Sequence, residues 1–288
     1  MPENDYGCPL CGLGSERRFP VEGYWVRDCI GCGHAFAEFR APEDHVPRTY
    51  GDGYFEAGGS GYPGYLEEAE LLRQSGRRYG ALLSRWARPG RLLDVGSAAG
   101  FILQGFGDAG WSGVGVEPNP RMSAYAREQL GLAVETSTAD DFRSEEQFDA
   151  VTMIQVVAHF VDPRRTFETL AQRTRVGGLW LVETWNRASW TARALGRHWH
   201  EYSPPSVLHW FTLDGLTRLA GELGFVRLGA GRPGKRLSVG HARSLLESRA
   251  ASSLPARVAV APLRLLPARL TLPYPSEDLF WIVLRRTQ

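Results

Sequence analysis

From about residue 90 onward, short apolar runs alternate with longer stretches of amphipathic period. Leu92 to Val95, Gly113 to Val116, Ala150 to Ile154 and Leu179 to Glu183 are the runs, and helix-length intervals separate them. That alternation predicts a parallel sheet with crossover helices, an α/β architecture. Gly224 to Leu228 and Asp278 to Leu284 read as two further strands. Ahead of the first run, residues 66–86 carry a helical period with Leu71, Leu72, Tyr79, Leu82, Leu83 and Trp86 as a buried stripe, and Pro89-Gly90 stops it.

The polar residues at the ends of these runs carry the first chemistry. Asp94, Glu117, Asp140 or Asp141, and Gln155 fall at or just past strand ends, on the edge where open α/β sheets bind ligands. In Arg91-Leu-Leu-Asp-Val-Gly-Ser-Ala-Ala-Gly100, Asp94 closes a buried strand, and Gly96 and Gly100 are read as letting the backbone approach a ligand. Glu117 is placed to accept hydrogen bonds from ribose hydroxyls. A dinucleotide site usually shows three glycines as G-x-G-x-x-G, because a pyrophosphate rests on bare amides at a helix N-terminus. Only two are present, with Ser97 and Ala98 between, which suits S-adenosylmethionine, a donor without phosphate.

A second signal lies at the N-terminus. Cys8-Pro-Leu-Cys11 and Cys29-Ile-Gly-Cys32 form C-x2-C-x17-C-x2-C, with Gly12 and Gly33 relieving the turn after each pair. This is the spacing of two thiolate knuckles converging on one tetrahedral zinc. Two disulfides and an iron–sulfur site are the alternatives. Disulfides require an oxidising compartment, whereas no secretory signal and no bilayer-spanning apolar run is found, so the expected compartment is the cytoplasm. His34 is read as a surface histidine beside the ribbon, because four thiolates complete the metal shell. Those four are the only cysteines, which excludes a free thiol nucleophile.

The 288 residues hold one α/β domain and a module too small to build a core without metal. The expected organisation is a zinc ribbon over 1–40, a linker and helical segment over 41–88, and the main domain over 89–288. Substrate-covering insertions are expected at about 187–215 and 229–277, the latter with helical portions. The chain is formally +1. The ribbon has four arginines against six acids, a poor clamp for a phosphate backbone, so no nucleic-acid partner is expected. Residues 227–288 have eleven basic residues against three acids, a cap able to receive an anionic acceptor or touch a membrane surface. The oligomeric state is not encoded legibly.

"LLDVGSAAGF", "GVGVEPNP", "STADDF", "FDAVTMIQVVAHFVDPRRTFETLAQRTRVGGLWLVET" and a terminal "EDLFWIVLRR" together resemble the class I S-adenosylmethionine-dependent methyltransferases. With the four cysteines, "Y-x3-YF" at Tyr50 to Phe55 and "LGRHWHEYSPPSVLHWFTLDGL" at 195–216, the chain is similar to a bacterial sugar and secondary-metabolite subgroup that begins with a zinc ribbon. The resemblance implies a seven-stranded Rossmann-like sheet whose last strand is antiparallel. It implies that Asp94, Gly96, Ala98, Gly100, Glu117, Asp140, Asp141, Phe142 and Gln155 bind the donor, with Tyr54 and Tyr65 closing over it. The expected reaction is methyl transfer to a small polar metabolite or sugar, with oxygen favoured over carbon or nitrogen. The other readings are a zinc-ribbon ribosomal RNA base methyltransferase and a non-enzymatic docking protein.

Two positions depart from the subgroup. Ala158-His159 stands where Glu-His is common, and Pro205-Ser206-Val207-Leu208 where Pro-x-His-Leu is common. In-line methyl transfer needs alignment above all, and a base only for a weakly acidic acceptor such as an alcohol or phenol, for which histidine is the natural choice. The candidates are His159 first, then His209 and His200, with His198 behind them.

Overall fold

The computed structural model describes residues 6–56, 65–234, 236–240, 243, 267, 270–273 and 276–288. Its centre is a seven-stranded sheet. The strands are β4 (Arg91–Val95), β5 (Ser112–Val116), β6 (Val134–Glu135), β7 (Phe148–Ile154), β8 (Thr174–Trp185), β10 (Phe225–Gly231) and β13 (Leu279–Arg286), in the order β10-β13-β8-β7-β4-β5-β6. β4 pairs in parallel with β5 and β7, and β8 with β7, whereas β13 is antiparallel to both its neighbours. The chain winds outward through β5 and β6 and then returns to the far side of β4 as β7. This reversal opens a crevice at the carboxyl ends of β4 and β7.

Helices cover both faces. One carries α3 (Ala69–Leu83) and α4 (Phe101–Asp108), and the other α6 (Pro163–Arg173) and α8 (Leu213–Glu222). Local sequence fixes where several of them begin. α5 (Pro120–Leu130) and α6 each have proline in the first turn, preceded by a capping Asn119 or Asp162 whose side chain accepts a backbone N–H. In the 66–86 segment, two glycines carry the closest packing and the large apolar residues flank them. A Cβ on Gly76 would lie 2.2 Å from the carbonyl oxygen of Ile102 and 2.9 Å from the Gly105 Cα, and one on Gly80 2.5 Å from the Ala109 Cβ. α3 and α4 therefore touch backbone to backbone. Gly76→Ala must push the helices apart and is expected to lower unfolding free energy by about 1–3 kcal/mol in a denaturant titration. An unchanged midpoint would show that the crossing is loosely packed.

The N-terminal ribbon is built from β1 (Ser15–Val21), β2 (Tyr24–Cys29) and β3 (Ala35–Ala37), joined by β9 (His209–Trp210) from the main domain. Val26, Ala35 and Ala37 share a core with Trp199, Tyr202, Leu208 and Trp210, while Cys8, Cys29 and Phe36 belong to the same cluster as Phe167, Trp180 and Phe211. Arg187 pairs with Asp28 across this boundary, and Arg218 donates to the carbonyl of Cys32 at 2.7 Å. The stretch expected as a cover at 187–215 thus also completes the ribbon sheet. His34, expected at the surface, is buried, stacked on Phe36 and His209 and tilted against Phe211. The correction follows from β9, which sequence spacing does not reveal.

Between the ribbon and α3, the chain makes α1 (His45–Thr49) and α2 (Asp52–Glu56). α7 (Trp190–Leu195) follows β8. Most of the expected insertion at 229–277, with much of its basic charge, lies outside the described residues, and of its expected helical portions only Val239, Gly240 and Arg243 are described, all helical. Within it, β11 (Arg236–Ser238) pairs antiparallel with β12 (Thr271–Pro273). Among the described residues no helix is long and apolar enough to cross a membrane.

Candidate functional site

A cavity of about 2340 Å³ opens at the carboxyl ends of β4, β5, β7 and β8, larger than the roughly 300–1,000 Å³ of ordinary small-molecule sites. Asp94, Gly96, Ala98, Glu117, Asp140, Asp141 and Gln155 all line it, as do Tyr54 and Tyr65 from the segment before α3.

The turn after β4 sets its geometry. The N–H groups of Gly96 and Ser97 both donate to the carbonyl of Val116, at 2.8 and 3.1 Å. Ala98 is left-handed, with φ 46°, a strained state for a residue with a side chain, and its N–H donates to Glu117 Oε2 at 2.9 Å. Glu117 Oε1 accepts the Asn119 N–H at 2.8 Å. Burial raises the Glu117 carboxyl to about 7 against these two hydrogen bonds. Asp94 is likewise raised to about 7 by burial while accepting from the Thr152 hydroxyl at 2.6 Å. Gly96 lines the cavity and Gly100 does not; both adopt positive φ, 71° and 85°, and both are closely packed. A Cβ on Gly96 would meet Val156 Cγ2 at 2.8 Å, and one on Gly100 the Leu132 Cδ1 at 2.7 Å.

Four buried side-chain polar atoms among the described residues have no hydrogen-bond partner, and three of them belong to cavity residues, namely His45 Nε2, Ser97 Oγ and Asp140 Oδ1. Native proteins rarely leave such atoms unpaired. Asp140 Oδ2 accepts from Thr166 at 2.9 Å, and burial raises its carboxyl. Asp141 is exposed and accepts from Thr138 at 2.7 Å. Phe142 does not reach the cavity. It is buried in the core against Phe148.

Gln155 is also left-handed, with φ 57°. Its side chain donates to Glu183 Oε1 at 2.9 Å, and the other oxygen of Glu183 accepts from the Tyr79 hydroxyl. Glu183 and Tyr79 line the cavity and were not expected there. A carboxylate at the end of the apolar run Leu179 to Glu183 is the available signal. Tyr65 is buried and stacked on Phe101, and Tyr54 stands edge-on to Tyr50, with its phenol raised to about 12 by burial.

The histidines separate. His159, in a turn over Val157–His159, lines the cavity and has Nδ1 at 2.6 Å from the Ser206 carbonyl oxygen. A carbonyl only accepts, so Nδ1 carries the proton, and burial lowers the ring's pKa. The neutral ring therefore has its lone pair on Nε2. His200 also lines the cavity, with Nε2 3.2 Å from Glu201 Oε1 and 4.0 Å from Asp278 Oδ2. His198 lies exposed in the turn Gly196–His198. The expectation for His209 is corrected. It is buried in β9, away from the cavity wall, with Nε2 donating to the Phe160 carbonyl at 2.9 Å, and burial lowers its pKa to about 4.

In the ribbon, the Sγ atoms of Cys8, Cys11, Cys29 and Cys32 all lie within 4.8 Å of one another. Cys8 and Cys32 are 3.6 Å apart and Cys11 and Cys29 3.4 Å, all four as free thiols. Backbone N–H groups of Leu10, Gly31 and Cys32 point at Cys8 or Cys29 sulfur at 3.3–3.4 Å. Sulfurs about 3.8 Å apart are what 2.3 Å bonds to a tetrahedral ion produce, so this donor set fits zinc.

Fold and site together define a class I methyltransferase architecture carrying a four-cysteine ribbon. Residues 68–228 match the methyltransferase domain family, and the chain belongs to it. A ubiquinone biosynthesis O-methyltransferase of Nitrobacter winogradskyi is 32% identical over 125 residues, 42% of this chain and 46% of that protein. One of Cereibacter sphaeroides is 32% identical over 130 residues, 39% of this chain and 53% of that protein. The chain thus spans about half the length of these curated relatives. The structure of a Thermotoga maritima SAM-dependent methyltransferase, described as a possible histamine N-methyltransferase, superposes with a TM-score of 0.51 at 18% identity, over 78% of this chain and 93% of that one. A SAM-dependent methyltransferase of Archaeoglobus fulgidus gives 0.50 at 18% identity, over 77% and 99%. These likenesses concern the fold.

Proposed function

We propose that the protein transfers a methyl group from S-adenosylmethionine to a hydroxyl of a small polar metabolite or sugar. The observation that carries the reading is Glu117, a buried carboxylate facing the cavity with one lone pair on each oxygen taken by a backbone N–H. A carboxylate has about four acceptor positions, so two remain, which matches the two hydroxyls of a ribose. The unpartnered Asp140 Oδ1 suits the adenine amine, Ser97 Oγ and the Ala98 turn suit the methionine part, and Asp94 and Gln155 orient that end. Tyr54 and Tyr65 wall the donor side. When bound, the donor supplies an electrophilic methyl on a sulfonium. The chain's own task is to align the acceptor and exclude water.

At the acceptor end, His159 is the base. Its Nδ1 is committed to Ser206, leaving the Nε2 lone pair to take the proton of an alcohol or phenol. His200 is already committed to Glu201, so it orients that carboxylate and does not act as base. The O-methyltransferase names of the relatives above favour oxygen as acceptor. Arg78, Arg85 and Arg232 line the same cavity and suit an acidic group on the acceptor. The ribbon cysteines hold one structural zinc.

His159→Ala tests the reading. Turnover of an acceptor, found by screening metabolite pools for a mass gain of one methyl, should fall about a hundredfold or more, while donor affinity by calorimetry stays the same. Undiminished turnover would remove His159 as base.

A further inference from the structure

The turn that carries His159 is held by Tyr50, whose hydroxyl donates to the Ser206 carbonyl at 2.7 Å and lies 3.3 Å from His159 Nδ1, and by the segment from Ser206 to His209. His159 Nδ1 donates to the Ser206 carbonyl at 2.6 Å, the Leu208 N–H to the Ala158 carbonyl at 2.9 Å, and His209 Nε2 to the Phe160 carbonyl at 2.9 Å. That same segment is the fourth strand of the ribbon sheet. Ala35 and Phe36 pair with Trp210 and His209, and the Ala37 N–H donates to the Leu208 carbonyl at 2.9 Å. The turn is therefore fastened to the ribbon on one side while facing the cavity on the other.

Two histidines make the outermost link. His34 Nε2 and His209 Nδ1 are 3.1 Å apart. Because the Phe160 carbonyl only accepts, His209 carries its proton on Nε2. In the neutral ring, Nδ1 is then an acceptor, so His34 must donate. The relay runs one way, from His34 through His209 to the Phe160 oxygen. Both rings are buried, and Phe36 and Phe211 hold the plane of His34. If these rings served only to fill space, aromatic replacements would do as well, since the site is already lined with phenylalanine. A directed chain that ends on the carbonyl next to His159 does more than fill space.

We infer that His34 and His209 are positioning residues through which the four-cysteine ribbon holds the His159 turn and fixes that ring with its proton on Nδ1. The inference rests on the reading of His159 as the base, but its structural content can be tested apart from that reading. It also gives the ribbon a part in the catalytic domain, since the His159 side of the cavity leans on it.

The experiment uses the purified full chain in its metal-bound form. Long-range proton–nitrogen spectra of the histidine rings report the His159 tautomer and the exchange rate of its Nδ1 proton. In the native chain, a single Nδ1–H form is expected. His209→Phe keeps the ring volume but cannot donate. It should give mixed tautomers at His159 and about tenfold faster exchange of that proton, the loss expected when one buried hydrogen bond in a network is removed, with zinc content and donor affinity unchanged. His209→Gln, whose amide can donate to Phe160 and accept from His34, should restore the native spectrum. His34→Phe removes only the first link and should move His159 in the same direction by less, and it serves as the test if His209→Phe does not fold. An unaltered His159 spectrum in these phenylalanine variants would overturn the inference. Should the spectrum move as expected while His159→Ala retains native turnover, the base assignment fails and the positioning role stands.

Discussion

Glu117→Ala is expected to weaken donor binding by about a thousandfold or more in calorimetry, with zinc content unchanged. The size follows from what is lost. Two charge-assisted hydrogen bonds to ribose, each worth about 1.5–3 kcal/mol, disappear, and the N–H groups of Ala98 and Asn119 lose their acceptor. The variant thus removes a ligand contact and loosens the turn that shapes the cavity. pH should report the same residue. Burial raises the Glu117 carboxyl from 4.5 to about 7, and only the ionised form can accept from both N–H groups and both hydroxyls. Donor affinity should climb as pH rises to about 7 and level off above it. The empty protein should behave oppositely. An acid whose folded pKa lies above its unfolded value contributes stability below the unfolded value and loses it as pH rises through the folded one, here on the order of 3 kcal/mol between roughly pH 4.5 and 7. A donor affinity that is flat across this range, or unchanged in Glu117→Ala, would remove the ribose assignment.

Cys8→Ser should abolish stoichiometric metal, which metal analysis should otherwise find at about one zinc per chain, and should lower the thermal midpoint by roughly 6–20 °C. Structural zinc sites supply folding free energy directly, and this ribbon is short of core of its own. Its largest buried ring, Phe36, belongs to a cluster completed by Phe167, Trp180 and Phe211 from the main domain. Unfolding of the ribbon would expose those partners and the edge of β3 on which β9 sits. At about 2–4 °C per kcal/mol for a chain of this size, even a loss of 3–5 kcal/mol gives a shift of that order. A chain that stays folded with an unchanged midpoint after chelation would overturn the assignment of zinc.

The donor side of the molecule was legible in the residues because its signals are local. β4, β5 and β7 are short apolar runs with Asp94, Glu117 and Gln155 at or just past their ends, and a two-glycine turn follows the first. What was not legible depends on contacts between distant segments. His34 and His209 are 175 residues apart, and nothing in their neighbourhoods shows that β9 would join the ribbon, bury one ring and withdraw the other from the cavity. Gly76 and Gly80 carry no periodic signature of their own beside Leu82 and Leu83, although the tightest approach of α3 to α4 depends on their having no side chain. Glu183 was read as the end of an apolar run, yet in the structure it joins Tyr79 to Gln155 on the cavity wall. The cavity wall around His159 is assembled from the linker, the turn after β7 and the segment around Glu201, none of which has a periodic signature.

The central claim is that the carboxyl ends of β4 and β5 grip an adenosyl donor. A crystal structure of the protein with S-adenosylhomocysteine tests it most directly. Both ribose hydroxyls are expected on the Glu117 carboxylate, the adenine amine on Asp140, and the sulfur directed toward His159. An empty crevice at saturating ligand, or adenosine bound with Glu117 untouched, would contradict it.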